Sequence, residues 1–249
     1  MDLNTELYGY ARDCFPERLV IDLRIGLRYT AVLLEGGFCG VAYTFFREGN
    51  CLSFPWQRPL VGQTSTKLLG MLGSSDLVET AVGLATLNAL ANHSVPTMSS
   101  GDILDNLSLQ PDDCVAMVGL FEPLVPVIRT KVRRLVIFER SQGADLLPPE
   151  KLGGILPDCQ VALLTATTLI NRTLGEILER ARSCREVALL GPSTPLLPDF
   201  FFPRGVTLLS GIIVERPAEL LRVVSEAGGT PHFMPFARKV NLFLGKDHS

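Results

Sequence analysis

The first hundred residues alternate between apolar and polar positions in short runs that are separated by glycine-containing turns. A helix-like stretch over about 3–13 comes first. Three runs rich in β-branched and aromatic residues come next, and they cover 18–26, 29–35 and 39–46. Runs of this length joined by short turns such as 35–37 are typical of a three-stranded antiparallel meander.

Helical periodicity follows the meander near 64–72 and 76–92. In the second segment both faces are largely apolar, which predicts a helix that is buried on more than one side. Asn88 shares a face with Leu84, and an amide in such a place must find hydrogen-bond partners when it is buried. Strands followed by helices indicate an α+β domain, which we assign to residues 1–108.

From about residue 110 onward, continuous apolar runs alternate with helical segments. Five runs have the composition of strands that are covered on both faces, and they lie at 114–121, 134–139, 161–166, 187–191 and 206–214. Helices are predicted at 123–131, 173–183 and 217–227. This alternation is typical of a parallel, doubly wound sheet, so the predicted fold is α/β, with 109–249 as a second domain. The strand-like run 239–245 is a candidate to close the sheet.

The carboxyl ends of the predicted strands are the places where such a sheet binds ligands. Gly119 and Phe121 follow the first strand, and Glu139 ends the second. Twenty positions separate Gly119 from Glu139, which is the usual interval between a phosphate-turn glycine and a ribose-binding acid. The full glycine fingerprint is absent. Nucleotide or nucleoside binding therefore stays open beside a simpler reading, a strand-capping glycine and a solvated acid.

The third strand end runs into a segment that is rich in hydroxyl and amide groups, including Thr165, Thr167 and Asn171. Such a loop at the carboxyl edge of a sheet can hold a polar ligand, whereas local turn bonding by Thr and Asn explains it without a ligand. Thr173 and Glu176 have the spacing of a capping box, which predicts that they cap the helix that follows.

The fourth strand end is the sequence "GPSTPLLP" at 191–198. Gly191 can adopt a positive φ, and Pro192 stiffens the chain after it. The amides of Ser193 and Thr194 would then point in a fixed direction, which is suitable for a carboxylate, a phosphate or a developing oxyanion. A nucleophilic role for Ser193 is not favoured, since no histidine is near it in sequence. We therefore expect a rigid binding loop.

Composition and charge limit the partners of the protein. A net charge of −3, with one small basic cluster, does not fit a nucleic-acid-binding protein. No apolar run reaches the length of a membrane span, and the acidic N-terminus lacks signal-peptide features, so a cytoplasmic protein without membrane contact is expected. Six cysteines form no C-x-x-C pair and have no histidine at ligand spacing. They are expected to be free thiols, and no metal ligand is identified.

Several segments together resemble the heavy-metal-chelation family. They are "GLRYTAVLL", "CGVAYTFF", "VETAVGLATLNAL", "VGLFEPLV", "LLTATTLINRT" and "GPSTPLLPDFFFPRGVTLLSG". The resemblance covers nearly the whole chain and implies an enolase-amino-terminal-like domain followed by a Rossmann-like domain, with a ligand cleft between them. It also implies a partial likeness to Rossmann-type methyltransferases. The role it implies is the making or handling of small chelating molecules such as pterin-, flavin- or siderophore-like compounds.

Carried onto this chain, the resemblance implies a cleft lined by the strand-end residues named above. The first domain is expected to contribute Tyr29, Thr30 and Asn88, although Asn88 is also explained by bonds to neighbouring backbone. Within the cleft, Glu139 is expected to act as an acid/base or as a ribose-type anchor. Asn171 is expected to orient the ligand.

Three function classes stay open at this point. The leading one is an enzyme or handling protein for a small, polar, heterocyclic molecule, which would use condensation, hydrolysis or group transfer. The others are a non-catalytic carrier or sensor of a metal chelate and a methyltransferase-like enzyme that uses S-adenosylmethionine. The cofactor is unknown, and a nucleoside- or S-adenosylmethionine-like ligand is open. Because no thiolate or imidazole pair is clustered in the sequence, a metal would be held by an organic chelator. A homodimer is expected because symmetric dimers are common.

Overall fold

The first part of the chain forms a helix, a three-stranded meander and two further helices. The computed structural model describes residues 2–45, 58–93, 103–140, 143 and 145–244. The elements of this part are α1 (Leu3–Cys14), β1 (Val20–Ile25), β2 (Tyr29–Leu34), β3 (Cys39–Tyr43), α2 (Ser65–Leu69) and α3 (Leu77–Ala91). The strands pair antiparallel in the order β1-β2-β3. The predicted meander and its helices are therefore confirmed.

Helix α3 is the buried centre of this part of the protein. Its first turn is capped by the Asp76 carboxylate, which accepts hydrogen bonds from the amides of Val78 and Glu79. Nearly every residue of the helix is buried, as the apolar character of both faces predicts. Gly40 of β3 lies directly against the α3 backbone at Ala89, where a Cβ atom has no room. The helix and the meander are therefore in direct contact through their main chains.

The second part of the chain forms a seven-stranded, mostly parallel sheet. Its strands are β4 (Cys114–Val118), β5 (Arg134–Phe138), β6 (Leu146–Leu147), β7 (Val161–Thr165), β8 (Glu186–Leu190), β9 (Leu208–Val214) and β10 (Ala237–Phe243). The order is β10-β9-β8-β7-β4-β5-β6, and β10 alone among these strands runs antiparallel to its neighbour. The five predicted strands are confirmed, and the run 239–245 closes one edge, although Gly245 lies outside the described residues. The short strand β6 was not predicted.

Helices connect most of the parallel strands. They are α4 (Val125–Lys131), α5 (Leu152–Ile155), α6 (Thr167–Ile170), α7 (Leu174–Arg180), α8 (Pro198–Phe201), α9 (Pro217–Ser225) and α10 (Thr230–Phe233). Those predicted at 123–131, 173–183 and 217–227 correspond to α4, α7 and α9. Across the described ranges, every helix is too short or too polar to cross a bilayer.

The strand order reverses at the centre of the sheet. From β4 the chain moves outward to β5 and β6, and it then returns to β7 on the other side of β4. The carboxyl ends of β4 and β7 therefore begin two connections that leave in opposite directions, which opens a crevice between them. We therefore expect a ligand site at the carboxyl ends of β4 and β7.

The meander lies between α3 and the second sheet. On one of its faces, Val32 and Leu34 belong to the same apolar core as α3. On the other face, Ala31 and Val41 pack with Ile212 of β9 and with residues of α9. The two parts of the chain therefore share their cores. The domain boundary at 108/109 stays a prediction.

Candidate functional site

Two adjoining cavities lie at the carboxyl edge of the parallel sheet, where the strand order reverses. The first has a volume of about 1050 Å³ and the second about 670 Å³. Residues that line both of them form a common wall, and they are Tyr43, Leu120, Phe121, Thr165 and Thr167. The first part of the chain contributes Tyr43, and the second part contributes the other four. The site is thus built by both parts.

Ten of the thirteen residues predicted for the site line one or both cavities. The first cavity is lined by Gly119, Phe121, Glu139, Thr165, Thr167 and Asn171. The second is lined by Phe121, Thr165, Thr167, Tyr29, Gly191, Pro192 and Ser193. The other three, Thr30, Asn88 and Thr194, line neither cavity. Strand ends that are 74 positions apart in sequence, at Gly119 and Ser193, are therefore brought to one edge of the sheet.

Gly119 makes the sharp turn that follows β4. Its φ is +86°, a conformation that favours glycine. Its amide donates to the carbonyl of Phe138 at 2.9 Å, which continues the pairing of β4 with β5. On the other side, a Cβ at position 119 would lie 2.7 Å from Thr165 Cγ2. Glycine is therefore required here both by the backbone conformation and by the close approach of β7.

Glu139 is fixed by main-chain donors from two strand ends. Its Oε2 accepts a hydrogen bond from the amide of Leu120 at 3.1 Å, and its Oε1 accepts one from the amide of Arg140 at 2.6 Å. The side chain is half-buried and lines the first cavity. Each carboxylate oxygen has a second lone-pair direction, so the group can still accept a hydrogen bond from a ligand.

The hydroxyl-rich segment after β7 is bonded to itself and also lines the cavities. The hydroxyls of Thr165 and Thr167 lie 3.0 Å apart, and Thr168 Oγ1 donates to the carbonyl of Thr165 at 2.6 Å. Asn171 Oδ1 accepts a hydrogen bond from Thr173 Oγ1 at 2.6 Å. The local turn bonding that the sequence suggested is confirmed. It orders these groups around α6, a short helix that was not predicted.

The predicted capping box at Thr173 is wrong. Thr173 has helical backbone angles and its side chain accepts no hydrogen bond from the first turn of α7. Its hydroxyl donates to Asn171 instead, and Glu176 forms an ion pair with Arg180 at 2.7 Å. An N-cap residue that bonds the first turn typically has extended backbone angles, whereas Thr173 is helical, with φ −95° and ψ −12°.

An aromatic pair from the end of the meander forms a wall of the first cavity. The rings of Tyr43 and Phe45 lie 5.0 Å apart at an interplanar angle of 72°. The sequence prediction missed both residues. Their signal is the spacing of two at the end of a strand, which places both side chains on one face.

The second cavity has a hydroxyl pair on its inner wall. Tyr29 is 8% exposed, and its hydroxyl lies 2.8 Å from Thr230 Oγ1. Burial raises the pKa of the Tyr29 hydroxyl, and the bond to Thr230 acts in the opposite direction. The ring makes edge contacts with Tyr43 and Phe233. Tyr29 is therefore held rigidly as a neutral hydroxyl.

The loop at 191–198 is held by several internal hydrogen bonds, although the buried Thr194 Oγ1 has no hydrogen-bond partner among the described residues. Gly191 has a φ of +109°, as predicted. The Thr194 amide donates to the Gly191 carbonyl at 3.0 Å, and the Thr194 side chain is fully buried. Ser193 Oγ accepts a hydrogen bond from the amide of Tyr43 at 2.8 Å. The expectation of an anion-holding pair is corrected: Thr194 has no free amide to offer, and Ser193 Oγ joins the loop to β3.

Asn88 and Asn92 attach helix α3 to this loop. Asn88 Nδ2 donates to the carbonyls of Val41 at 2.8 Å and Ser193 at 3.1 Å. Asn92 Nδ2 donates to the carbonyls of Thr194 at 3.2 Å and Ile212 at 3.0 Å. The expectation that Asn88 lines the cleft is thus corrected, because its Nδ2 is bonded to backbone carbonyls, while its buried Oδ1 has no hydrogen-bond partner among the described residues. The role of Asn92 was missed, although two amides four positions apart share one helix face.

Thr30 is the third predicted residue that the structure places inside the protein. Its side chain is completely buried, and its hydroxyl lies 2.9 Å from that of Thr44. The pair links neighbouring strands of the meander. The expectation that Thr30 faces the ligand is corrected, because alternate residues of β2 point to opposite faces.

Comparisons with known proteins identify the family. Two family profiles with the description "Putative heavy-metal chelation" match residues 8–91 and 102–243. The chain belongs to this heavy-metal-chelation family. An uncharacterized protein of Methanocaldococcus jannaschii is 30% identical to it over 242 residues, which cover 91% of this chain and 86% of that protein.

Two solved structures of the heavy-metal-chelation family have the same fold. A protein of unknown function from Desulfitobacterium hafniense DCB-2 has a TM-score of 0.80 and 26% identity, and the match covers 97% of this chain and 98% of that chain. A protein of unknown function from Pyrococcus horikoshii has a TM-score of 0.85 and 24% identity, with the same coverage. These likenesses support the mixed α/β fold.

The residues that the structure describes do not form a ready-made site for a heavy-metal ion. No three His, Cys, Asp or Glu side chains among them are grouped as ligands. Two thiols do meet: Cys114 Sγ and Cys159 Sγ lie 3.2 Å apart at the amino ends of β4 and β7. The expectation that no thiols cluster is therefore corrected. Burial, followed by the bond to Cys114, raises the pKa of Cys159 to about 12. This pair lies at the edge of the sheet opposite to the cavities.

Proposed function

We propose that the protein binds a small, polar, heterocyclic molecule, or the metal chelate of such a molecule, in the paired cavities. The observation that carries this proposal is the convergence of Gly119, Glu139, Thr165 and Asn171 around one cavity at the point of strand-order reversal. Ligands of doubly wound sheets bind at this position. A volume of about 1050 Å³ accommodates a molecule of cofactor size.

The lining of the first cavity indicates the chemistry of the ligand. The Tyr43 and Phe45 rings supply aromatic faces and edges for a planar ring system. The same cavity also presents the hydroxyls of Thr165 and Thr167 and the amide of Asn171. A heterocycle with amino, carbonyl or hydroxyl substituents, such as a pterin or a flavin, matches both kinds of group. A siderophore-like catechol matches them through its ring and its oxygens.

Glu139 and Asn171 have defined roles in this proposal. Glu139 accepts a hydrogen bond from a hydroxyl or amino group of the ligand, since its two oxygens are held in place by the Leu120 and Arg140 amides. Asn171 Oδ1 is taken by Thr173, so Asn171 offers its Nδ2 donors to the ligand. If a group-transfer or hydrolytic step occurs, Glu139 is the acid/base. Any metal is held by donor atoms of the ligand itself.

A nucleoside-containing ligand such as S-adenosylmethionine is the second candidate. Gly119 directly follows β4 and Glu139 directly follows β5, and Glu139 Oε2 accepts a hydrogen bond from the amide of Leu120, immediately after Gly119. In dinucleotide-binding, Rossmann-like sheets an acid at the end of the second strand binds ribose hydroxyls. Glu139 can therefore accept hydrogen bonds from the hydroxyls of a ribose as well as from the substituents of a heterocycle.

A thermal-shift and calorimetric screen tests the proposal. The probes are 6-hydroxymethylpterin, flavin mononucleotide, adenosine, S-adenosylmethionine and ferric 2,3-dihydroxybenzoate. A ligand that binds the folded state raises the melting temperature. We expect at least one probe to do so, and we expect Glu139→Gln to weaken its binding about tenfold, which corresponds to about 1.4 kcal/mol. Glu150→Gln is the matched control, because Glu150 lines the same cavity without holding the strand ends together.

The outcomes separate the function classes. Binding without turnover favours a carrier or sensor, and turnover favours an enzyme. Preference for S-adenosylmethionine over the pterin and flavin probes favours the second candidate. No shift with any probe, or equal binding by the wild type and Glu139→Gln, contradicts the proposal.

A further inference from the structure

The outer edge of the meander carries a concentration of exposed apolar side chains. β1 is the edge strand of the order β1-β2-β3. Among the described residues, eight large hydrophobic side chains are exposed, and five of them lie on β1 or beside it: Leu19, Ile21, Ile25, Leu27 and Val61. Ile21 is 52% exposed and Leu27 is 62% exposed. An exposed, apolar strand edge is a template for pairing with another strand.

The free part of this edge begins after Val20. At Val20 itself the edge is occupied, because its amide donates to the Gln63 carbonyl at 2.9 Å and its carbonyl accepts from the Gly62 amide at 2.9 Å. Beyond that point, none of the strands in the described ranges pairs with the outer side of β1. Within the part of the chain that the structure describes, the unpaired stretch therefore runs from Ile21 to Ile25, and the pairing of β1 with β2 shifts register at Ile21.

The backbone of this stretch has donors and acceptors that point away from the meander. The Gly26 amide donates to the Tyr29 carbonyl of β2. Because hydrogen bonding alternates along an antiparallel strand, Arg24 faces β2 while Leu23 and Ile25 face outward. The outward amide of Leu23 is bonded only to the carboxylate of its own neighbour Asp22, at 2.7 Å.

The sequence around Leu23 is self-complementary under a two-fold axis. Antiparallel pairing of two β1 strands centred on Leu23 places Ile21 opposite Ile25 of the other copy. It also places Asp22 opposite Arg24 of the other copy. Apolar residues then meet apolar residues and the acid meets the base, which are the favourable cross-strand pairs. The register of five residues has the same length as the free stretch of the edge.

We propose that two copies of the chain associate through their β1 edges and form one continuous, six-stranded antiparallel sheet. The interface is isologous, since the same five residues of both copies face each other across the axis. Asp22 and Arg24 form an ion pair within one chain at 2.8 Å, and the two such pairs of the two copies exchange for two pairs between chains. Val61 borders the edge next to Val20, so it lies near Leu27 of the other copy and extends the apolar contact.

Sedimentation velocity over a range of protein concentrations measures the association. We expect the mass to rise with concentration from 27.2 kDa toward twice that value. Ile21→Glu places a charge opposite the apolar Ile25 of the other copy and is expected to leave the protein monomeric. Leu244→Glu is the matched control, because Leu244 is 55% exposed but belongs to the other sheet. A wild type that stays monomeric, or an Ile21→Glu protein that associates like the wild type, overturns the proposal.

A charge exchange tests the register. In Asp22→Arg, two positive side chains face each other across the axis, and we expect at least a tenfold weaker association. The double variant Asp22→Arg, Arg24→Asp restores opposite charges and is expected to recover the association. Both positions are partly exposed, so the melting temperature is expected to stay unchanged. Failure of the double variant to recover contradicts the proposed register.

Cross-linking at the axis provides a measurement that does not depend on affinity. In Leu23→Cys, made in a Cys14→Ser background, the two thiols lie on directly opposed residues, about 5.5 Å apart at Cα, which is within disulfide range. Diamide takes up the two electrons and two protons of the thiols, and a dimer band is expected on a non-reducing gel. Ile25→Cys in the same background is the control, since position 25 faces position 21. Equal cross-linking of the two variants, or none in either, overturns the proposal.

Discussion

The backbone of Gly119 lies against the side chain of Thr165 across the crevice between β4 and β7. A Cβ at position 119 would meet Thr165 Cγ2 at 2.7 Å and Thr165 Cβ at 2.9 Å. The ends of β4 and β7 can approach this closely because position 119 carries only a hydrogen atom in place of a side chain. Thr165 in turn shares a hydroxyl contact with Thr167 in the common wall of both cavities. A change in the distance between Gly119 and Thr165 would therefore also move the wall that the two cavities share.

Gly119→Ala is expected to destabilise the protein and to disturb the first cavity. The positive φ costs about 1–2 kcal/mol for a residue with a Cβ, and the contact with Thr165 adds about 1–3 kcal/mol. Urea unfolding measures the total. Gly37→Ala is the control, since Gly37 also has a positive φ, +85°, but has open space around its Cβ direction. Equal losses of unfolding free energy in the two variants would show that the contact with Thr165 does not contribute to the destabilisation.

Asn88→Ala is expected to loosen the attachment of α3 to the second sheet. It leaves the buried carbonyls of Val41 and Ser193 without their side-chain donor, which costs about 1–3 kcal/mol for each unsatisfied group. Chemical denaturation measures the loss. In Thr86→Val, on the same buried helix, the lost bond is the local one to Val82 within the helix, so the change is expected to be smaller. A larger loss in Thr86→Val than in Asn88→Ala would contradict the attachment.

The stability of the protein is expected to fall as the pH drops below about 6.5, in part because of His93. Burial lowers the pKa of His93 below its ordinary value of 6.5, and the hydrogen bond of its Nε2 with the Cys39 carbonyl opposes this. Below pH 6.5 the unfolded chain therefore binds a proton more readily than the folded protein, and folding is disfavoured. Urea unfolding at pH 7.5 and pH 5.5 measures the difference. His93→Phe should reduce it, and an unchanged difference would exclude His93 as its source.

The thiols at the amino edge of the sheet are expected to be unreactive in the folded protein. Burial raises the pKa of Cys159 to about 12 and that of Cys184 to about 11, and the thiolate is the reactive form. Titration with Ellman's reagent at pH 8 is expected to show a fast phase that Cys14→Ser reduces by one equivalent, because Cys14 is exposed. Cys159→Ser is the control and should leave the fast phase unchanged. A fast phase that shrinks in Cys159→Ser would contradict the burial of the pair.

The strand ends of the second sheet could be predicted because the signals are local. Continuous apolar runs identify parallel strands, and the carboxyl ends of such strands meet at one edge whatever their order in the sheet. Gly119, Glu139 and Thr165 were placed correctly at the cavities for this reason. The same argument located Gly191, whereas Tyr29 was expected only from the family resemblance.

The partners of Ser193, Thr194 and Asn92 could not be predicted from local sequence. Their hydrogen bonds join residues that are about a hundred positions or more apart. Nothing in "GPSTPLLP" shows whether its polar groups face a ligand or another part of the chain. The Cys114–Cys159 contact was missed for the same reason, since 45 positions separate the two residues.

The two asparagines of α3 bind the second sheet through main-chain carbonyls, which every amino acid possesses. Substitutions at 193, 194 or 212 that preserve the backbone path leave these acceptors in place, whereas only a residue with the reach and paired donors of asparagine fits at 88 and 92. The two sides of this contact should therefore differ in their tolerance of substitution. The loop and strand that supply the carbonyls can vary in sequence, whereas the two asparagine positions cannot.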